Sequence, residues 1–382
     1  MPDTPAPAVD DLTRPAYGRR SLSDLLPSIG AHLGVPGCPR DLVGVRRADG
    51  YVVVLVDGLG WTLLRQSLAG APYLAGLAEQ TEPLTATAPS TTATSLASLG
   101  TGLPPGRHGI VGYSTRVPDS GAVLNALTWD ADVDPRRYQP HPTLFERAAA
   151  AGIRTTSVGL ERFAASGLTA AALRGPGFVG LTEEARTERR VAAVVEAATG
   201  PGRGLVYVYE RRLDHAGHAH GWRSGAWRDR LARVDDLCRQ LRDALPAEIA
   251  LVVTGDHGMV DVPVGHRLVV EDEPELGAGV DTLAGEGRFR QLYVDRDDPA
   301  AVAARWADRL DERAWVRSRD EAVEDGWFGP VDAEVRERYG DVLVAMRSDW
   351  AVMTRAYPRE LDLVGMHGSL TPAEMTVPLL VD

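Results

Sequence analysis

The feature that most constrains the fold is the continuous apolar run YVVVLV at 51–56, which ends at Asp57 and Gly58. An apolar run without polar alternation is typical of a strand buried on both faces of a parallel sheet. Similar runs recur at 204–209 and 249–254, and segments with helical spacing such as 61–80 and 226–245 lie between the β-rich segments. This alternation predicts an α/β fold, with a mainly parallel sheet and helices on both of its faces.

Polar residues that suit metal ions follow these predicted strands. In open α/β sheets, ligands bind beyond the carboxyl ends of the strands, so side chains at those positions are expected to converge. Carboxylate and imidazole groups suit zinc and similar divalent ions, and a two-metal site needs about this many ligands. The candidates are Asp57, Asp214, His218, Asp256, His257 and, near the C-terminus, His367. Taken singly, Asp57 is a common helix cap and the Asp-His pairs fit a loop polar network equally well, whereas the complete set favours metal ligands.

The segment APSTTATSLASLGTGLPPGRHGI at 88–110 crowds hydroxyls before a predicted helix. Such residues usually cap helices, and Ser90, Thr91 and Thr94 are interpreted in that way or as packing residues. Thr92 taken alone would receive the same interpretation. A helix N-terminus also offers free N–H groups and a positive dipole end, which favour an anionic phosphate.

Five motifs in order resemble the alkaline phosphatase superfamily, most closely its nucleotide pyrophosphatase/phosphodiesterase branch. They are VDGLGW, PSTTATSLASLGTGLPPGRHGI, DHAGH, TGDHGM and GMHGSLTP. The resemblance covers residues from about 50 to 265 and from 360 to 382. It implies an alkaline phosphatase-like fold and a hydrolase of phosphoric esters.

The resemblance also implies the roles of individual residues. Thr92 falls on the family's nucleophile, which contacts both metals and forms a phosphothreonine intermediate. Ser95 stands where the phosphodiesterases of the family carry an Asn that donates to a phosphate oxygen, and serine has a shorter reach. The ions are expected to be zinc, with manganese or iron as alternatives. One ion is assigned to Asp214, His218 and His367, and the other to Asp57, Asp256 and His257.

Composition narrows the partners and the location. The chain of 382 residues has 53 acidic residues against 41 basic ones, all of them arginine, which gives a net charge of −12. A nucleic-acid polymer is therefore not expected as a partner, and a small-molecule phosphate ester is expected as substrate. No signal peptide or membrane-length apolar run is visible, which predicts a cytoplasmic protein. The oligomeric state stays open.

The domain organisation is predicted as a lead-in at 1–47, a catalytic core at 48–265 and 358–382, and an inserted α+β cap at 266–357. The cap is expected to overhang the metals and select the substrate. Its tryptophans could hold a planar group, although such residues are more often core. They are Trp306, Trp315, Trp327 and Trp350.

The function predicted from these features is hydrolysis of phosphodiester or nucleotide pyrophosphate bonds. A phosphomonoesterase or phosphonate hydrolase on the same metals is the alternative within the class, and a metal-binding pseudoenzyme that acts as an interaction module is the alternative outside it. Diesters are expected to be preferred over monoesters, because no cationic side chain adjoins Thr92 in the sequence. Arg211 and Arg212 are the nearest candidates for such a cation.

Overall fold

The computed structural model describes residues 12–79, 81–183 and 185–382. Residues 1–11 of the predicted lead-in lie outside this part of the chain. The strands, numbered in chain order, are β1 (Gly50–Val56), β2 (Leu84–Thr85), β3 (Ser114–Arg116), β4 (Val123–Asn125), β5 (Arg154–Leu160), β6 (Gly177–Leu181), β7 (Gly204–Glu210), β8 (Ile249–Gly255), β9 (Val260–Asp261), β10 (Arg267–Val269), β11 (Thr282–Glu286), β12 (Phe289–Tyr293), β13 (Ala314–Ser318), β14 (Val342–Met346), β15 (Ala351–Met353), β16 (Gly365–Met366), β17 (Thr376–Val377) and β18 (Leu379–Val381).

The α-helices follow the same numbering and alternate with these strands through most of the chain. They are α1 (Leu25–Leu33), α2 (Trp61–Gln66), α3 (Pro72–Ala78), α4 (Thr92–Thr101), α5 (Pro105–His108), α6 (Pro135–Tyr138), α7 (Leu144–Ala150), α8 (Gly167–Ala172), α9 (Thr187–Ala198), α10 (Arg212–His220), α11 (Gly225–Ala244), α12 (Pro274–Gly277), α13 (Pro299–Leu310), α14 (Arg319–Glu324), α15 (Ala333–Arg336) and α16 (Pro372–Met375).

The central sheet has the strand order β18-β8-β1-β7-β5-β6. All of its neighbouring pairs are parallel except β18 with β8, which is antiparallel. In register, Val56 at the end of β1 lies opposite Glu210 of β7 and Gly255 of β8. The carboxyl ends of these three strands therefore stop at one level, and the predicted α/β class with a mainly parallel sheet is confirmed.

The apolar run of β1 supplies both layers of the core. Residues 51, 53 and 55 belong to one buried cluster, and residues 52, 54 and 56 belong to the cluster on the other face of the sheet. Successive side chains of a strand point to opposite faces, so a run without polar residues fills both layers.

Part of the predicted lead-in belongs to the core. Leu26 and Ile29 of α1 are buried in the same cluster as Val53 and Leu55 of β1, and Val43 and Val45 complete that cluster. The apolar spacing of α1 presents one face to this cluster, where the helix packs beside α4 and α7.

The helical pattern predicted at 61–80 is interrupted. Helix α2 ends at Gln66, a 3-10 turn covers Leu68–Gly70, and α3 begins at Pro72. Proline fits the first turn of a helix but not its interior, so the chain starts a new helix there. Residue 80 lies outside the described residues.

A second sheet lies within the segment predicted as the cap. It is antiparallel, with the order β11-β12-β14-β13. Trp306 and Trp327 are fully buried in apolar clusters, and Trp315 and Trp350 pack against those clusters. These tryptophans therefore stabilise the packing of this region. No helix in the described part of the chain is long and apolar enough to cross a membrane.

Candidate active site

The predicted metal ligands converge because three strands end at the same level. Asp57 directly follows β1, Asp256 and His257 directly follow β8, and α10 carries Asp214 and His218 after β7. His367 lies C-terminal to the second sheet, directly after β16. Apart from the partly exposed His218, all of these side chains are buried. The structure thus brings all six predicted ligands into one cluster.

Thr92 is the first residue of α4 and faces this cluster. Its Oγ1 lies 3.1 Å from His257 Nε2 and 3.4 Å from Asp57 Oδ1. Thr91, the N-cap residue, has extended backbone and makes no capping hydrogen bond through its side chain. The first N–H groups of a helix lack intrahelical acceptors, so the Thr92 hydroxyl lies beside a ready anion site.

The carboxylate of Asp256 is held by one oxygen only. Its Oδ1 accepts hydrogen bonds from the backbone N–H groups of Gly58 and His257, each at 3.0 Å. Its Oδ2 is buried without a hydrogen-bond partner among the described residues and lies 3.5 Å from His257 Nε2. Asp214 shows the same pattern, because its Oδ1 is also buried and unpartnered. A buried oxygen without a partner is costly, and a bound cation removes that cost.

Each of the three histidines is oriented by a backbone carbonyl. The Nδ1 atoms of His218, His257 and His367 lie 2.7, 2.9 and 3.0 Å from the carbonyl oxygens of Gly365, Gly258 and Ser90. Donation from Nδ1 to a carbonyl leaves Nε2 as the acceptor, which is the arrangement that metal-ligating histidines use. The residues present therefore fit divalent ions.

The ligand atoms form two overlapping groups. Those of Asp57, Asp256 and His257 lie within 4.8 Å of one another, and so do those of Asp214, His257 and His367. The rings of His257 and His367 stack with centroids 3.6 Å apart. His218 Nε2 lies 3.2 Å from Asp214 Oδ2, at the edge of the second group. His257 thus belongs to both groups, whereas the resemblance assigned it to one ion only.

The electrostatics of the cluster also favour a cation. Burial would raise the pKa of Asp57, but in the metal-free state a protonated His257, through its hydrogen bond and its charge, holds that pKa below its ordinary value. Burial, followed by the negative charge of Asp57, raises the pKa of Asp214 and of Asp256 well above the ordinary range. Neighbouring carboxylates in a buried site resist joint ionisation, and bound divalent ions reverse that resistance.

Ser95 requires a correction. Its Oγ donates to the backbone carbonyl of Asp256 at 2.8 Å and lies 3.0 Å from the Thr87 hydroxyl, and the side chain is fully buried. Ser95 does not line the main cavity, whose wall includes Thr91, Thr92 and Leu96. The short side chain is directed from α4 to the loop after β8, where it makes these contacts. The geometry therefore gives no support to the expected phosphate contact.

Two residues of the site are not among those predicted from the sequence. Tyr209 of β7 donates from its hydroxyl to Asp57 Oδ2. Glu286, at the end of β11, places Oε2 3.7 Å from His367 Nδ1, and burial raises the pKa of this carboxyl to about 8. The position of Tyr209, opposite Leu55 and next to the ligand after β1, could have indicated its role. Nothing in the local sequence marks Glu286.

The main cavity opens from the metal-ligand cluster and has a volume of about 710 Å³. It extends from Thr92 and Asp214 past Tyr209 of β7 and residues 157–159 of β5 to Phe178 near the start of β6. Its wall there contains the apolar side chains Phe163, Leu168 and Phe178. Arg211 lines this cavity, whereas Arg212 does not. The cavity can therefore enclose an ester group attached to a phosphate at Thr92.

Comparison with solved structures shows the same fold in phosphate and phosphonate hydrolases. Murine ectonucleotide pyrophosphatase/phosphodiesterase 5, solved in an inactive form in complex with AMP, is 19% identical over 86% of this chain and 87% of its own, with a TM-score of 0.69. Phosphonoacetate hydrolase from Sinorhizobium meliloti 1021, in complex with phosphonoformate, is 20% identical over 89% and 92%, with a TM-score of 0.67.

No curated protein sequence matches the chain. The family model of type I phosphodiesterases/nucleotide pyrophosphatases does match, over residues 51–370. That range contains β1 from Tyr51 onward, α4, α10 and all six ligand positions. The chain therefore belongs to the type I phosphodiesterase/nucleotide pyrophosphatase family and is a phosphoester-hydrolysing enzyme of the alkaline phosphatase superfamily.

Proposed function

We propose that the protein hydrolyses small-molecule phosphodiesters or nucleotide pyrophosphates through a phosphothreonine intermediate on Thr92, at a site that holds two divalent ions. The observation that carries this proposal is the position of Thr92 Oγ1, 3.1 Å from His257 Nε2 and 3.4 Å from Asp57 Oδ1 at the N-terminus of α4. A hydroxyl in that position can reach a phosphorus atom bound between the helix N-terminus and the ligand cluster.

The residues that would hold the ions form the two groups that share His257. When bound, divalent ions act as Lewis acids that stabilise negative charge on the phosphate and lower the pKa of a hydroxyl. Mixed carboxylate and imidazole ligands suit zinc, with manganese or iron as alternatives.

The chain itself supplies the nucleophile, its orientation and a partial anion site. Asp57 Oδ1 is placed to accept the hydrogen bond of the Thr92 hydroxyl. Attack by Oγ1 on phosphorus forms the new P–O bond as the bond to the leaving oxygen breaks, and the proton lost by the Thr92 hydroxyl balances the one with which the leaving group departs as an alcohol or a phosphate. Water then hydrolyses the phosphorylated Thr92, which in the case of a diester still carries the second ester group; this releases the phosphate monoester and restores the free hydroxyl. The N–H groups that begin α4 face the charge that develops on the phosphate.

The proposed preference for diesters rests on the absence of a cationic side chain among the residues that adjoin Thr92 in the sequence. Its neighbours Thr91, Ala93 and Thr94 carry no charge, and a monoester dianion presents one more negative oxygen than a diester does. A diester needs less positive charge, and its second ester group fits the apolar wall of the main cavity. The net charge of −12 further supports a small-molecule substrate over a nucleic-acid polymer.

The test is a substrate panel on protein of measured metal content. It compares bis(para-nitrophenyl) phosphate, para-nitrophenyl phosphate, nucleotide pyrophosphates and phosphonoacetate. We expect kcat/KM for the aryl diester to exceed that for the monoester by at least about tenfold, or about 1.4 kcal/mol of transition-state binding. Turnover should disappear with chelator and return with metal. A preference for the monoester or for phosphonoacetate would replace the diesterase proposal, and an absence of turnover on the whole panel would contradict it.

A further inference from the structure

We infer that Arg211 and Arg162 form a second anion site in the main cavity, which selects phosphodiesters whose ester group ends in a carboxylate or phosphate. This inference rests on the proposed function, because it concerns the group attached to the phosphate that Thr92 attacks. Both arginines line the same cavity as Thr92 and Asp214.

The two arginines share one counterion. Glu183 Oε1 accepts hydrogen bonds from Arg211 Nη2 at 2.7 Å and from Arg162 Nη1 at 2.5 Å. The two guanidinium groups thus have one hydrogen-bonded carboxylate between them, while Arg211 also feels the charge of Asp214 and its Nη1 contacts the His215 ring. The Nε of Arg211 is buried and has no hydrogen-bond partner among the described residues. An anionic oxygen from a ligand would add a second negative charge beside the two guanidinium groups and would accept a hydrogen bond from Arg211 Nε.

The position of this pair separates it from the phosphate that reacts. Arg162 follows β5, Arg211 follows β7 and Glu183 follows β6. The contacts of Thr92 are instead with residues that follow β1 and β8. In the order β8-β1-β7-β5-β6, β7 adjoins β1, so Arg211 follows the neighbouring strand, whereas β5 lies two strands from β1, or about 10 Å. Arg162 and Glu183 therefore place the pair toward the β5 and β6 side of the cavity, where it suits a distal anionic group.

The wall between the two positions is apolar. Phe163 and Phe178 line the cavity on the β5 and β6 side, and Arg162 stacks its guanidinium over the Phe163 ring at 4.9 Å. Side chains of this kind suit a carbon chain or ring that joins a reacting phosphate at one end to an anionic group at the other.

The experiment uses two matched diesters and the metal-loaded enzyme. Para-nitrophenyl pentyl phosphate and para-nitrophenyl ω-carboxybutyl phosphate share the reacting bond and the leaving group, and they differ only in whether the chain ends in a methyl group or a carboxylate. We expect wild-type kcat/KM to be higher for the carboxylate ester by at least about tenfold, as charge-assisted hydrogen bonds commonly provide. The preference should shrink as salt is added.

Variants assign the preference to the arginine pair. Arg211→Gln should bring the ratio of the two kcat/KM values close to one, and Arg211→Lys should retain part of it because the charge is kept. Arg186→Gln is the matched control, since Arg186 is an exposed arginine three residues beyond Glu183 that does not line the main cavity. It should keep the wild-type ratio.

The outcomes separate this inference from the proposed function. No hydrolysis of either ester by metal-loaded protein would contradict the proposed function. Hydrolysis of the pentyl ester with a wild-type ratio near one would overturn the second anion site alone. An equal loss of both esters and of para-nitrophenyl phosphate in Arg211→Gln would place the guanidinium at the reacting phosphate and would also overturn it.

Discussion

Tyr209 donates its hydroxyl to Asp57 Oδ2, while Asp57 Oδ1 lies 3.4 Å from Thr92 Oγ1. The two oxygens of one carboxylate are thus divided between a residue that fixes its orientation and the proposed nucleophile. Groups that orient a metal ligand from behind commonly change affinity or activity by about 10–100-fold when they are removed.

We therefore expect Tyr209→Phe to lower kcat and metal affinity by about 10–100-fold while the protein stays folded. Tyr207→Phe is a suitable control, because the Tyr207 hydroxyl lines the same cavity but has no hydrogen-bond partner among the described residues. It should cause a much smaller loss. Metal titration followed by steady-state kinetics measures both effects, and equal behaviour of the two variants would contradict the orienting role of Tyr209.

Thr92→Ala should keep the bound ions and lower turnover by at least about a thousandfold, as expected when a nucleophile is removed. Thr92→Ser should retain partial activity, because a hydroxyl remains. Thr91→Ala should lose far less, since Thr91 adjoins Thr92 but does not supply the hydroxyl between Asp57 and His257. Mass spectrometry of enzyme acid-quenched during turnover of a diester should find, on the peptide that contains Thr92, a phosphoryl group that still carries the second ester group. Full activity of Thr92→Ala would show that another group or water attacks.

Elemental analysis of active protein should find two divalent ions per chain, because two groups of ligand atoms share His257. Asp256→Asn should lower activity by several orders of magnitude and reduce the ion content, since it removes the charge but keeps one acceptor for the Gly58 N–H. Asp235→Asn is the control at a distant site, where the carboxylate accepts backbone N–H groups of Tyr73 and Leu74. Its ion content should equal that of the wild type. One ion or none in active protein would contradict the two-ion site.

Ile29→Ala should lower the free energy of unfolding by about 2–4 kcal/mol, because Ile29 of α1 is fully buried in the core cluster on one face of the central sheet. Arg40→Ala, at an exposed position between α1 and β1, should change it by less than about 0.5 kcal/mol. Denaturant titration gives both values. Equal values for the two variants would mean that α1 is a dispensable lead-in.

The strands of the central sheet could be predicted because a strand covered on both faces leaves a long apolar run. The 51–56 run is such a case, since its residues alternate between two buried clusters. The interruption between α2 and α3 was harder to anticipate, because the apolar spacing continues on both sides of Pro72. The burial of α1 depends on which sheet face is still uncovered, and that is a property of the assembled fold.

The metal ligands could be predicted because each directly follows a strand or occupies a recognisable motif. Residues that enter from elsewhere could not be predicted. Glu286 reaches the site from a second sheet, and Glu183 joins Arg211 to Arg162 across two strand ends. The hydrogen bond of Ser95 to the Asp256 carbonyl could not be predicted, because sequence position fixes the place of Ser95 on α4 but not which atoms its short side chain can reach.

The ligand set spans most of the chain, and this has a consequence for synthesis on the ribosome. A nascent chain that has grown through β14 already contains Asp57, Asp214 and His257, but it lacks His367 and the strand β18 that pairs with β8. Contacts between residues so distant in sequence form late in folding. The enzyme therefore acquires its full capacity for ions only after His367 and β18 have been synthesised, and until then the partly built cluster leaves its carboxylates without their complete set of partners.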